Sequence, residues 1–211
     1  MANFKSIREP GATGAWLVMV HGMSQDHRVF SVQVDVFKDR HPILLIDLPG
    51  HGLSAGIPGP FGHWEMAEHI RDAITKAGID RCHYLGTHTG TALGLLLAAW
   101  EPTRFHSLIL EGAVLPGHVM PSVDRELQRA REIAQTEGVA AACQQWFAQT
   151  DWFAVMRRHP GLCRAGEHEA IIGEFTGAPW LYQGTSRGVE PIDGQIAALD
   201  LPVLFYNGEH D

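Results

Sequence analysis

Five short stretches of the chain are apolar almost throughout: "AWLVMVHG" from Ala15, "HPILLID" from His41, "RCHYLG" from Arg81, "FHSLILEG" from Phe105 and "LPVLFYNGEHD" from Leu201. Each is rich in Val, Ile and Leu and apolar on both faces. That pattern predicts strands buried beneath helices on both sides. Amphipathic segments alternate with them. Ser31–Asp39 fits a short helix. Trp64–Ala77 places Met66, Ile70, Ala73 and Ile74 on one face and is stopped by Gly78. Thr89–Trp100 is apolar nearly all round and should be the most buried helix. Strand and helix in alternation predict an α/β fold with a mostly parallel sheet and right-handed crossovers.

The pattern changes near Leu115. "PSVDRELQRAREIAQTEG" and "VAAACQQWFAQTDWFAVMRR" read as helices, followed by a stretch broken by Pro160, Pro179 and Pro191. The organisation expected is a core of residues 1–114 and 199–211, interrupted by a helical cap at 115–198 that lies over the strand ends. Trp146, Phe147, Trp152 and Phe153 are candidates for pocket wall or for the cap's own packing. No internal repeat or low-complexity tract is present.

The composition narrows the partners. With 211 residues, 45% hydrophobic and 19% charged, the chain suits one folded domain. A formal charge of −8 without a Lys/Arg cluster argues against nucleic acid and anionic membrane. No apolar run approaches the roughly 20 residues of a membrane span, and the N-terminal "MANFKSIREPGATG" is not a signal peptide. Three cysteines without a CxxC, and thirteen dispersed histidines, suggest neither a disulfide framework nor a metal site. The expectation is a cytoplasmic protein with reduced thiols and no cofactor or metal, acting on a small molecule. The sequence leaves its oligomeric state open.

Ligands of open parallel sheets bind at the carboxyl ends of the strands. The unusual residues of this sequence all fall there. "GTHTG", Gly86–Gly90, joins a strand to a helix by a turn sharp enough to need glycines on both sides and a positive φ at its apex. His is among the residue types that tolerate that conformation. His88 is therefore projected outward, with the Thr89 N–H beside it at the helix N-terminus, a natural anion-binding position. A second N–H could come from Met23, just after His21 and Gly22, and two such donors make an oxyanion hole. His21 reads as an organiser of that loop, and His51 as packing for the turn after Asp47.

The motifs "VMVHGMSQD", "LLIDLPGHGLS", "LGTHTGTALGLLLAAWEP", "FHSLILEGAVLP" and "LPVLFYNGEHD" resemble those of the α/β-hydrolase superfamily, in its order and spacing and over nearly the whole chain. "DLPGHGLS" resembles the branch of esterases, C–C bond hydrolases, epoxide hydrolases and haloalkane dehalogenases. Two departures follow from the comparison. His88 stands where the family has its nucleophile, and Asp211 matches the family's acid position with no catalytic histidine after it. A piece of a longer reading frame is the expected explanation. The resemblance implies a hydrolase of a small apolar ester, lactone or related carbonyl compound. Asp211 or Glu111 would be the carboxylate orienting His88, and the N–H groups of Met23 and Thr89 the oxyanion donors. His88 could serve as nucleophile or as general base toward water. It could equally be an inert ligand contact in a binding or sensor protein. Cofactor-free oxygenase or lyase chemistry is a further alternative.

Overall fold

The computed structural model describes residues 3–112 and 114–208. Six strands form one sheet in the order β1-β3-β2-β4-β5-β6: β1 Phe4–Ile7, β2 Trp16–Val20, β3 Ile43–Ile46, β4 Cys82–Thr87, β5 Phe105–Glu111 and β6 Val203–Tyr206. All neighbouring pairs are parallel except β1 with β3. The parallel pairs follow from the helical crossovers, as the apolar runs predicted.

β1 was not anticipated. Only Phe4 and Ile7 of "FKSI" are half-buried, while Lys5 and Ser6 face solvent, so this edge strand has no apolar run to announce it. β6 departs from expectation in another way. Its four residues, Val203 to Tyr206, are 44–58% exposed, because among the described residues β6 pairs with β5 only and no helix covers it.

Helices α1 Ser31–Phe37, α2 His63–Lys76 and α3 Thr89–Trp100 flank the sheet close to their predicted bounds. α3 is buried along nearly its whole length. Leu93, Leu95, Leu96 and Leu97 are each at most 3% exposed, and a buried leucine stabilises by about 1.5–3 kcal/mol. They share one core with Met66, Ile70 and Ile74 of α2 and with Val18, Leu44, Tyr84 and Leu108 of the sheet. The opposite sheet face packs Leu17, Met19, Ile43 and Leu85 against Phe30 and α1.

Between β5 and β6 lie α4 Pro121–Thr136, α5 Val139–Gln149, α6 Ala154–Arg158, α7 Ala165–Gly173, α8 Ala178–Leu181 and α9 Asp193–Ala197. The second predicted helix is thus divided in two. Thr150 is extended (φ −70°, ψ 142°), and its Oγ1 donates to the Trp146 carbonyl, closing α5. The inserted helices have a core of their own, in which Trp146, Phe147, Phe153, Phe175 and Trp180 are buried. Trp152 packs edge-on against Trp146. Ile192 and the half-buried Val189, Ile196 and Leu199 pack instead on the main core, so the returning chain is already part of the sheet's packing before β6 begins.

Candidate functional site

The register carries the strand ends to one edge of the sheet. Val20 pairs with Gly86, Thr87 with Glu111, and Glu111 with Tyr206. His21, Asp47, His88 and Gly112 therefore follow their strands side by side.

His88 forms the turn between β4 and α3 with φ 48° and ψ −107°. The turn is tight because three backbones converge on it. A Cβ at Gly86 would strike the Gly90 carbonyl, and one at Gly90 the Val20 carbonyl. Hydrogen bonds fix the apex. The His88 N–H donates to the Glu111 carbonyl at 2.8 Å, and the Thr91 N–H donates to the His88 carbonyl at 2.9 Å. Thr91 Oγ1 lies 2.7 Å from the Glu111 carbonyl and 3.1 Å from that of Gly86. Tyr84 donates its hydroxyl to the Gly90 carbonyl from beneath.

This framework aims the His88 ring at Glu111. Nε2 lies 3.8 Å from Glu111 Oε2, within ion-pair reach and longer than a hydrogen bond, with side chains 42% and 27% exposed. Of the two carboxylates expected to orient His88, Glu111 is thus brought to it, whereas Asp211 lies outside the described residues. Tyr206 is the residue sequence reasoning missed. It pairs with Glu111 across the β5–β6 register, and burial, then the Glu111 charge, raises its phenol above the ordinary value. Only the strand pairing reveals this neighbour.

The loop after β2 passes directly beside the apex: a Cβ on Gly22 would sit 3.2 Å from His88 Cβ. Two buried imidazoles hold that loop. The His21 Nδ1–H donates to the Gly22 carbonyl at 2.7 Å, while Nε2 accepts from the Leu48 N–H at 3.0 Å. His51 repeats the arrangement, with Nδ1–H to the Pro49 carbonyl and Nε2 accepting from the Ser24 N–H. A nitrogen that accepts a backbone N–H carries no proton, so both rings are neutral. Burial lowers His21, and burial with the neighbouring His21 pushes His51 down to about 3. Both histidines therefore hold backbone in place. Met23 packs against the aromatic core of the insertion, and Thr89 opens α3, so its N–H has no carbonyl one turn back within the helix.

Asp47, fully buried, joins the loop after β2 to the turn after β3. Its carboxylate accepts from the His27 N–H (2.6 Å), His27 Nδ1–H (2.8 Å) and the Leu53 N–H (2.8 Å). Burial raises its pKa, and these hydrogen bonds outweigh that, leaving it below the ordinary value. Asp26, His27 and Asp47 bring three donor atoms within 4.8 Å of one another. That chemistry is already committed, because Arg28 pairs with Asp26 through two nitrogens and His27 is bonded to Asp47.

A cavity of about 260 Å³ opens nearby, bounded by Gln25, His27, Arg28, Leu53, Ile171 and Phe175. His88 and Glu111 do not line it. The inserted helices are fastened across this region. Arg28 donates to Glu174, Thr176 Oγ1 donates to the Gly50 carbonyl, and Phe175 stacks on His51 at 4.6 Å.

A parallel sheet with a glycine-flanked strand–turn–helix at the strand ends and a helical insertion before the last described strand defines a known class. The chain belongs to the alpha/beta hydrolase fold family, whose model matches residues 15–168. Among relatives, it is 27% identical over 207 residues to the 2-succinyl-6-hydroxy-2,4-cyclohexadiene-1-carboxylate synthase of Enterobacter sp. (strain 638), covering 93% of this chain and 76% of that protein. Among solved structures, it is similar to the enol-lactonase from Burkholderia xenovorans LB400 (TM-score 0.77, 18% identity, 100% of this chain and 78% of that one). A thermophilic esterase from Thermogutta terrifontis gives a TM-score of 0.75 at 19% identity, covering 99% and 75%.

Proposed function

We propose that the protein is an enzyme of small-molecule carbonyl chemistry, hydrolysing a mostly apolar ester, lactone or related compound, with His88 as general base. The observation that carries this reading is the His88–Glu111 pair. A strained backbone presents a part-exposed imidazole at the strand ends, and a carboxylate lies on its far side at 3.8 Å. Such a carboxylate orients the ring and stabilises the imidazolium that forms when the base takes a proton.

In this reading His88 removes a proton from water as the oxygen attacks the carbonyl carbon. The N–H groups of Met23 and Thr89 hold the resulting oxyanion. The imidazolium then returns the proton to the departing alcohol oxygen as the carbon–oxygen bond breaks. No covalent enzyme intermediate is needed. The inserted helices act as a cap whose aromatic core packs against Met23 and supplies apolar surface beside the donor loop. The enol-lactonase and esterase neighbours support the substrate class.

The relatives named as synthases favour a second reading. The same base would take its proton from a carbon acid bearing carboxylates, with the same donors holding an enolate.

The test is turnover of a panel of short esters, lactones and carboxylated carbon acids by the wild type and by His88→Ala, with products identified by mass spectrometry. General base catalysis is worth roughly 10²–10⁴ in rate, so His88→Ala should lose at least a hundredfold. Equal rates would overturn the role of His88. Saturable binding of a ligand recovered unchanged would instead identify a binding or sensor protein.

A further inference from the structure

The amino-terminal ends of the strands, opposite the site above, carry three histidines with no part in that chemistry. His41 stands two residues before the start of β3, His83 is the second residue of β4 and His106 the second of β5. All three are partly exposed. The His41 and His83 ring centres are 5.9 Å apart at 90°, and those of His83 and His106 are 5.2 Å apart at 40°. A bulge creates the second contact. Cys82 pairs with Phe105 while His83 pairs with Ser107, leaving His106 as the extra residue, turned toward His83.

The ring centres, though not yet the nitrogens, are spaced for shared coordination: among the described residues only Asp26, His27 and Asp47 bring three ligand atoms within 4.8 Å of one another as they stand. Two imidazoles on one ion, with metal–nitrogen bonds of about 2.0–2.1 Å, place their ring centres roughly 5–6 Å apart at tetrahedral or wider angles. The rings are also prepared as ligands. His41 Nδ1–H donates to the Ala15 carbonyl at 2.7 Å, which leaves Nε2 as a lone pair. Gly14 provides the room, since a Cβ there would lie 2.7 Å from His41 Nδ1. His83 Nδ1 lies 2.8 Å from Ser107 Oγ, and donation to that hydroxyl likewise frees Nε2. Metal-binding histidines are oriented by outer hydrogen bonds of this kind. Among the described residues no carboxylate pairs with any of the three.

We propose that His41, His83 and His106 form a binding site for a borderline transition-metal dication, Zn²⁺, Ni²⁺ or Cu²⁺, with His83 as the central ligand. An all-imidazole donor set selects these ions over Mg²⁺ and Ca²⁺, which prefer oxygen. The outer rings close on the ion by side-chain rotation, His83 staying in place between β2 and β5. The site is independent of the reaction proposed for His88.

Calorimetric titration of the untagged protein with ZnCl₂ and NiCl₂ tests it, alongside MgCl₂. One Zn²⁺ or Ni²⁺ should bind per chain in the micromolar range, and Mg²⁺ should not. His83→Ala and His106→Asn should each weaken binding at least tenfold, while His27→Ala, which removes the imidazole of the Asp26–His27–Asp47 group, should leave it intact. Electron paramagnetic resonance of the Cu²⁺-loaded wild type should show splitting from at least two imidazole nitrogens, a readout that needs no variant to fold. Unchanged affinity in His83→Ala, loss in His27→Ala, or an oxygen-only Cu²⁺ spectrum would overturn the proposal.

Discussion

Gly112 lies against the imidazole of His88: a Cβ at this position, where φ is 72°, would run into Nδ1. The space that lets the ring face Glu111 is thus created by the residue that follows the neighbouring strand β5. Gly112→Ala should turn the ring away and lower turnover at least tenfold. A left-handed conformation forced on alanine adds about 1–2 kcal/mol of destabilisation. Steady-state kinetics alongside urea unfolding separates the two effects. Unaltered kinetics would show that the ring position does not matter.

Glu111→Gln keeps the side chain's shape and removes its charge. If the carboxylate stabilises a developing imidazolium, kcat should fall roughly ten- to a hundredfold with KM nearly constant. A change confined to KM would place Glu111 in ligand binding instead.

His51 makes stability depend on pH with a definite sign. Its folded pKa is about 3 against an ordinary 6.5, because it is buried and beside His21. Between those values the unfolded chain binds the proton and the folded chain does not. Its contribution is therefore fully present above pH 6.5 and is lost as pH falls toward 3, at up to about 1.4 kcal/mol per pH unit. Urea midpoints at pH 7, 6 and 5 should fall accordingly, and His51→Asn should flatten the slope while lowering stability at pH 7. An unchanged slope would refute the assignment.

Trp180 is 1% exposed and touches both Phe175 and Trp146. Trp180→Ala should cost about 3–5 kcal/mol, and Trp180→Phe much less. Thermal unfolding measures this, and near-ultraviolet circular dichroism reports whether the insertion's aromatic packing loosens before the sheet melts.

The sheet was legible where its chemistry is local. Val18–Val20, Ile43–Ile46 and Leu108–Leu110 are apolar because both sheet faces are covered, and that signal needs no knowledge of their partners. The apex at His88 was legible too, since flanking glycines and a tolerated positive φ are properties of five consecutive residues. What stayed hidden depends on distance in sequence. β1 is held by pairing with β3 while half its side chains face water. Thr150 breaks a helix whose apolar pattern runs on. Tyr206 beside Glu111, Gly112 beneath His88 and Asp47 between two loops exist only after register and loop packing are set. Asp211, the other candidate acid, lies outside the described residues.

Asp47 has a mechanical consequence. One carboxylate, with no access to solvent, receives N–H groups from both His27 and Leu53. Neither loop can swing out without stranding a buried charge, so the two open as a single unit. Amide hydrogens at 27 and 53, far apart along the chain, should then exchange with deuterium at one common opening free energy. The strand ends that frame His88 would breathe together rather than loop by loop.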